Sequence, residues 1–239
     1  MSDDLETFMM TQPPTADRPL NGMTVLVVED SRFASEAIRL LCLRSGARIR
    51  RADNLAAAHR HLRVYRPTAV IIDMGLPDGS GAELIEELTN DAIRVPVILG
   101  MSGDAGTQEV ALGAGADGFL VKPVESLAEF QQAILSVLPP QEGPVSLKVL
   151  PSEIVQPDEL ALQDDLSHLA RIIHDRDDGP AQDYVAQFLG GLALSAHDQP
   201  MAVAAQSLAA SRVAGRSTSA AMARVIHLVE DRLKDRRQL

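Results

Sequence analysis

Residues 69–81 read AVIIDMGLPDGSG, and this stretch decides the fold. The apolar run Val70-Ile71-Ile72 ends at a carboxylate, Asp73, and a turn rich in Gly and Pro follows before a helical pattern begins. A short β-branched run closed by Gly and Pro predicts a buried strand. Asp73 would then lie at the carboxyl end of a strand, where open α/β sheets place their functional groups. An Asp at this position can equally cap the next helix, so its companions decide its role.

Apolar runs elsewhere predict four more strands, separated by amphipathic patterns that predict helices. The strands are expected at Met23–Val28, Ala47–Ala52, Val95–Met101 and Gly118–Val121. The helices are expected from the N-cap Ser31 to Gly46, over Asn54–Tyr65, over about Ala82–Leu88, in the stretch that ends near Gly113, and over about Leu127–Leu138. Because strands alternate with helices, we expect an α/β domain with a five-stranded parallel sheet and helices on both faces.

The chain of 239 residues is long enough for two domains, and its composition changes at Pro139-Pro140. We expect a flexible acidic tail over residues 1–20, the α/β domain over 21–139, and a linker over 140–157 that can lie along one of the domains. Residues 158–239 are rich in Ala and Leu, lack strand signals and break at three turns. This pattern predicts an all-α domain of four helices.

The composition of the chain argues against several classes of function. With 22 Lys and Arg against 33 Asp and Glu, the formal net charge is −11, which disfavours general binding to a phosphate backbone and predicts no nucleic-acid partner. The single cysteine, Cys42, excludes an internal disulfide and suits a reducing compartment. No apolar run approaches the ~20 residues that span a bilayer, and the acidic N-terminus is unlike a signal peptide. We therefore expect a cytoplasmic protein without a membrane partner.

Polar side chains follow four of the predicted strands. Glu29 and Asp30 end the first, Asp73 the third, Ser102 the fourth and Lys122 the fifth. These ends share one edge of a parallel sheet, and three carboxylates placed there repel one another unless a cation joins them. Mg²⁺ suits such a site because it prefers oxygen ligands, keeps several waters and accepts a phosphate oxygen. Lys122 adds a fixed positive charge and Ser102 a hydroxyl donor.

These motifs resemble the receiver domain of two-component response regulators over about Met23–Leu138. The matching segments are VVEDS, IIDMGLPDGSG, MSGD and FLVKP, in that order. The resemblance implies the flavodoxin-like sheet with strand order 2-1-3-4-5. It also implies that a histidine kinase phosphorylates Asp73, and that Glu29, Asp30, Asp73 and the backbone carbonyl of Gly75 hold Mg²⁺.

The same resemblance assigns the remaining roles. Asp73 would be the nucleophile toward a phosphohistidine, while Lys122 and Mg²⁺ neutralise charge on the phosphoryl oxygens. Ser102 would swing to bond one phosphoryl oxygen, and Phe119 would turn inward as the switch aromatic. The alternative for Phe119 is a plain core ring. The receiver would catalyse only its own phosphoryl transfer and dephosphorylation, and we expect no separate enzymatic domain.

The second half resembles a histidine phosphotransfer (Hpt) domain, whose active helix reads Ala-His-x-Leu-Lys-Gly-Ser. Ala205, Leu208 and Ser211 match this motif, but Gln206 occupies the position of the phospho-accepting His. Glutamine cannot carry phosphate, so the resemblance implies an Hpt-like fold without its chemistry, used for docking or self-association. A generic Ala-rich bundle would give similar strings.

The sequence leaves other functions open for the second half of the chain. His174, followed by Asp175, faintly resembles the His-Asp pair of kinase dimerisation helices, and His168, His197 and His227 are further candidates for a phosphorelay; each can equally be a solvated side chain. A DNA-binding helix-turn-helix near Arg212 and Arg216 is the remaining alternative. The partners expected are a sensor histidine kinase or phosphotransfer protein and a second copy of the chain.

Overall fold

The computed structural model describes residues 13–104, 106–138, 153–175 and 178–235, and strands alternate with helices up to residue 135. The strands are β1 (Thr24–Val28), β2 (Arg48–Ala52), β3 (Ala69–Asp73), β4 (Gly75–Leu76), β5 (Gly79–Ser80), β6 (Val97–Ser102) and β7 (Gly118–Val121). The helices of this region are α1 (Arg32–Ser45), α2 (Leu55–Val64), α3 (Gly81–Asn90), α4 (Thr107–Gly113) and α5 (Leu127–Leu135).

Five of these strands form one parallel sheet in the order β2-β1-β3-β6-β7. Counting only these five strands along the chain, the order is 2-1-3-4-5, so the predicted flavodoxin-like sheet is confirmed. The strand that contains Asp73 is central and buried throughout. The sequence did not predict the antiparallel pair β4–β5, in which Gly75 lies opposite Ser80 directly after the end of β3.

The sheet is buried on both faces, which explains why its strands read as continuous apolar runs. In β1, Val25 and Val27 belong to one hydrophobic core, whereas Leu26 and Val28 belong to the other. Alternate residues of a strand point to opposite faces of the sheet, so each central strand contributes side chains to both hydrophobic cores. The parallel pairing of β1, β3, β6 and β7 places their carboxyl ends along one edge of the sheet.

The packed part of the chain extends beyond the predicted domain on both sides. The expected tail reaches residue 20, yet Leu20 is fully buried and its amide donates to the Ser45 carbonyl. Within the expected linker, the Glu153 carbonyl accepts from the amide of Leu127, and the Val155 side chain is buried in the hydrophobic core that contains Val25 and Val27. Residues 1–12 of the tail and 139–152 of the linker lie outside the described part of the chain.

The described residues pack as two compact units. The sheet unit is formed by the described residues up to Asp30 and those within Ala37–Gln156, and the second unit by Ser31–Glu36 and the described residues within Pro157–Leu239. In its described residues the second unit contains α6 (Glu159–Asp175), α7 (Gly179–Ser195), α8 (Gln199–Val213) and α9 (Ser219–Asp235). The caps Asp178 and Asp198 accept from backbone amides at the starts of α7 and α8, where Pro180 and Pro200 also favour helix initiation. No helix within the described ranges combines the length and apolarity needed to span a bilayer.

Asp165 organises the part of the second unit that contains residues 31–36. Its buried carboxylate accepts from the Ser31 hydroxyl at 2.7 Å and from the amides of Arg32 and Phe33 at 2.9 Å each. These amides belong to the first turn of α1, where backbone donors lack helical partners. The side chain of Phe33 lies in the hydrophobic core of this unit. The sequence did not single out Asp165.

Candidate phosphorylation site

The carboxyl ends of β1, β3 and β7 bring two acids and a lysine together. The Lys122 ammonium lies 2.7 Å from Glu29 Oε2 and 3.1 Å from Asp73 Oδ1. Glu29, Asp73 and Lys122 are each no more than 7% exposed. Buried charges at these distances interact far more strongly than surface ion pairs do, because water screens them little. The sequence prediction that these strand ends converge therefore holds.

Asp73 is held in an environment that resists its ionisation. Burial raises the pKa of its carboxyl from 3.8 to about 7; attraction to Lys122 opposes that rise, and repulsion from Glu29 adds to it. A carboxylate with a pKa near neutrality is sensitive to any added cation or anion, and such groups cluster at functional sites.

Lys122 shows the opposite balance. Burial disfavours its ammonium form, but attraction to Asp73 and then to Glu29 outweighs burial, and the pKa of Lys122 lies above its usual value. The ammonium is therefore charged at every physiological pH. It provides a fixed positive charge beside the Asp73 carboxylate.

The acidic residues fit a divalent cation. Glu29, Asp30 and Asp73 each offer a carboxylate oxygen, and these atoms all lie within 4.8 Å of one another. Oxygen donors so arranged suit Mg²⁺, and half-buried Asp30 leaves one side of the group open to water. Gly75, the predicted carbonyl ligand, begins β4 two residues after Asp73.

Ser102 ends β6 next to this group. Its carbonyl accepts from the Lys122 amide at 2.9 Å, so the two strand ends are joined by the sheet ladder. Its hydroxyl accepts from the Asp104 amide at 3.1 Å. This local bond orients the hydroxyl at the start of the loop that leads to α4.

Phe119 is partly buried in β7 and packs against the core that contains Ala111. Gly100 lies opposite Phe119 in the neighbouring strand, and a Cβ at Gly100 would lie 3.0 Å from the Phe119 ring and 2.7 Å from the Ala111 Cβ. The Phe119 ring therefore occupies space that a side chain at position 100 would fill. The sequence predicted Phe119 as a switch residue but did not single out Gly100.

Gly81 is a second residue that the sequence did not single out. A Cβ at this position would lie 2.1 Å from the backbone oxygen of Asp73, and the Gly81 amide donates to the Met74 carbonyl at 3.1 Å. Only glycine permits this close approach of α3 to the end of β3. The GSG string after the turn is the signal that could have indicated it.

The candidate residues of the second unit are distributed over three helices and a turn. Gln206, at the predicted degenerate Hpt position, is exposed on α8. His168 is half-buried, packs edge-on against Phe188 at 5.8 Å, and has a pKa lowered by burial and then by nearby arginines. The other three histidines are exposed: His174, His197 and His227.

Comparison with known proteins finds relatives of the first half of the chain. Residues 25–135 match the family described as "Response regulator receiver domain". The KDP operon transcriptional regulatory protein KdpE of Escherichia coli is 32% identical over 99 residues, which cover 41% of this chain and 44% of KdpE. The response regulator MprA of a Mycobacterium species is 32% identical over 125 residues, covering 51% of this chain and 54% of MprA. The chain thus spans about half the length of the curated relatives it matches.

Solved structures resemble the same half. The receiver domain of the sensor histidine kinase PA1611 from Pseudomonas aeruginosa, with a magnesium ion in its active-site cleft, is 26% identical with a TM-score of 0.43, over 48% of this chain and 95% of that domain. A CheY-like receiver domain from Methylobacillus flagellatus is 24% identical with a TM-score of 0.44, over 48% of this chain and 98% of that one. Residues 25–135 thus match the response regulator receiver domain in sequence, and the observed strand order is that of the flavodoxin-like fold.

Proposed function

We propose that the chain is a response regulator in which Asp73 accepts a phosphoryl group from a phosphohistidine of a sensor kinase or phosphotransfer protein. The buried cluster of Glu29, Asp73 and Lys122 is the observation that carries this proposal. An Asp73 carboxylate oxygen forms the new bond to phosphorus, while the bond from phosphorus to the histidine nitrogen breaks and its electron pair returns to the imidazole. The Lys122 ammonium then stabilises the negative charge on the phosphoryl oxygens.

Glu29, Asp30 and Asp73 would hold Mg²⁺ through their carboxylates, with the Gly75 carbonyl as a further ligand. The oxygen spacing supports this assignment, and the solved receiver domain of PA1611 coordinates magnesium in its active-site cleft. When bound, the cation would offset the mutual repulsion of the acids and the charge of the phosphoryl group.

The phosphoryl group would act through Ser102 and Phe119. Its added charge and acceptor oxygens would attract the Ser102 hydroxyl away from the Asp104 amide. The partly buried Phe119 ring, which lies against the small residue Gly100, would then change its position. Such a local rearrangement shifts the receiver between two states, and a partner that prefers one state reads the signal.

We propose that the second unit transmits this signal by protein–protein contact and has no catalytic role. The exposed Gln206, in an Hpt-like motif without its His, supports a docking or self-association module. Transcriptional regulation is the second candidate, because the relative KdpE is named a transcriptional regulatory protein. Retention of the chain on DNA would favour the second candidate.

Incubation with a small phosphodonor and Mg²⁺ tests the proposal. We expect acid-stable, base-labile phosphorylation that requires the cation and disappears in Asp73→Asn. The exposed carboxylate of Asp53 supplies the matched control, Asp53→Asn, which should be phosphorylated like the wild type. Undiminished phosphorylation of Asp73→Asn would contradict the assignment.

A further inference from the structure

A group of arginines in β2 and α2 is unused by the proposed phosphoryl chemistry. Residues 39–66 hold eight Arg and one Asp, a formal charge of 8 − 1 = +7, whereas the rest of the chain sums to −11 − 7 = −18. A strongly basic segment in an acidic chain is a charge asymmetry of the kind that marks an interaction surface.

The strand places two of these arginines side by side. β2 is the edge strand of the sheet, and Arg48 and Arg50 lie opposite Thr24 and Leu26 of β1. Being two residues apart, they point to the same face, with backbone positions about 7 Å apart. Both side chains are exposed. The strand therefore presents a pair of guanidinium groups on a rigid backbone.

The neighbouring helix adds two more. Arg60 and Arg63 lie one turn apart in α2 and are exposed, whereas Leu55 and Ala58 of the same helix are buried. Residues three apart in a helix are neighbours on its surface, so these two guanidinium groups lie on one outward face.

Contacts within the sheet unit join the strand to the helix. The His61 ring bonds the Arg51 carbonyl at 3.1 Å and packs edge-on against Tyr65 at 5.7 Å. Burial raises the pKa of the Tyr65 hydroxyl, and the positive charge of Arg50 partly counteracts this rise. The basic groups of strand and helix thus belong to one surface.

These arginines have no acidic partner in the part of the chain that the structure describes. Among the described residues, no carboxylate lies within ion-pair distance of Arg48, Arg50, Arg60 or Arg63. Other arginines of the chain are paired, namely Arg94 with Asp117, Arg212 with Asp183 and Arg232 with Asp198. A single charge on an edge strand is enough to oppose edge-to-edge aggregation, but that role does not explain the two arginines of α2.

We propose that Arg48, Arg50, Arg60 and Arg63 form a docking surface, the arginine surface, for an acidic segment of a partner protein. Guanidinium groups bind carboxylates through paired hydrogen bonds. The Ile49 carbonyl accepts from Arg50 and the Arg51 carbonyl bonds His61, so recognition relies on side chains rather than on pairing with the strand edge.

The size of the surface favours a protein segment over nucleic acid. The five residues of β2 span about 17 Å, whereas duplex DNA carries one charge per ~1.7 Å and continues far beyond that length. Its excess phosphates would meet a chain whose other residues sum to a charge of −18, obtained as −11 − 7. A short acidic segment avoids this repulsion because it extends no farther than the arginine surface.

Fluorescence anisotropy with a labelled decaglutamate peptide and the full-length chain tests this inference. We expect saturable binding that weakens as the salt concentration rises, because dissolved ions screen the exposed charges of both partners. The double variants Arg48→Gln/Arg50→Gln and Arg60→Gln/Arg63→Gln should each weaken binding about tenfold, a loss consistent with two exposed ion pairs. All four side chains are exposed, so these variants should fold like the wild type.

The matched control removes two exposed arginines of the second unit, Arg216→Gln/Arg224→Gln, and should leave peptide binding unchanged. An equal loss in this control would overturn the inference, since binding would then follow total charge. Absence of peptide binding at low salt would also overturn it. Tighter binding of a single-stranded oligonucleotide of equal charge would reassign the surface to nucleic acid.

Discussion

Replacing Asp73 with Asn should change how stability depends on pH. The folded chain holds a proton on Asp73 more tightly than the unfolded chain does, because its pKa rises from 3.8 to about 7. A group with a raised pKa contributes stability that is fully present below the unfolded value and is lost as pH rises through the folded value. The wild type should therefore lose stability between these two values as Asp73 ionises in its buried site.

The size of this loss follows from the two pKa values. Between about pH 5 and about pH 8, the wild type should lose roughly 2 to 3 kcal/mol relative to Asp73→Asn, which cannot ionise. Lys122 does not contribute in this range, since its raised pKa keeps it charged in both states. Urea unfolding in EDTA at both pH values measures the difference, with Asp53→Asn as the exposed control.

A stability difference between wild type and Asp73→Asn that stays constant from about pH 5 to about pH 8 would refute this reasoning. It would mean that the carboxyl is solvated or that Lys122 fully compensates its charge. A second arm adds saturating Mg²⁺ at the higher pH, where the cation should stabilise the wild type much more than Asp73→Asn. Equal stabilisation of both proteins would place the cation away from Asp73.

Three further predictions concern single residues. Asp30→Ala should weaken Mg²⁺ binding sharply in calorimetry while the fold persists; unchanged affinity would assign the cation to other ligands. Gly81→Ala should lose about 1 to 3 kcal/mol in urea unfolding because its Cβ would meet the Asp73 backbone oxygen at 2.1 Å, whereas Gly113→Ala, with no atom within 4 Å, should lose none. Asp165→Asn should cost about 1 to 3 kcal/mol, since it disturbs three hydrogen bonds to a buried carboxylate. The variant Asp164→Asn, at the exposed neighbouring residue, should cost less than about 1 kcal/mol of unfolding free energy. Equal losses in the two variants would mean that the hydrogen bonds to Asp165 do not stabilise the fold.

The sequence predicted the sheet well because burial on both faces leaves a strong signal. The apolar runs of β1, β3 and β7 are followed by polar groups, and the parallel topology then brings Glu29, Asp73 and Lys122 together. Convergence of the site follows from these local patterns and the parallel topology, whereas the strand order was implied by the resemblance to the receiver family.

Features that depend on close approach between distant segments left no local signal. The fit of Gly81 against Asp73 and of Gly100 against Phe119 depends on distances between elements, which periodicity does not encode. The burial of Leu20 and Val155 likewise reflects where the chain ends of the sheet unit pack. The three hydrogen bonds to Asp165 join residues more than 130 positions apart in the chain. The local sequence around Asp165 therefore predicts only a helix with acidic residues.

The most direct test of the central claim is to locate the phosphoryl group after reaction with a small phosphodonor and Mg²⁺. Peptide mapping by mass spectrometry under acidic conditions preserves an acyl phosphate and distinguishes Asp73 from Glu29 and Asp30. We predict a single modified peptide containing residues 69–81, with the added group on Asp73. Modification of Glu29 or Asp30 instead, or of a histidine in the second unit, would contradict the account.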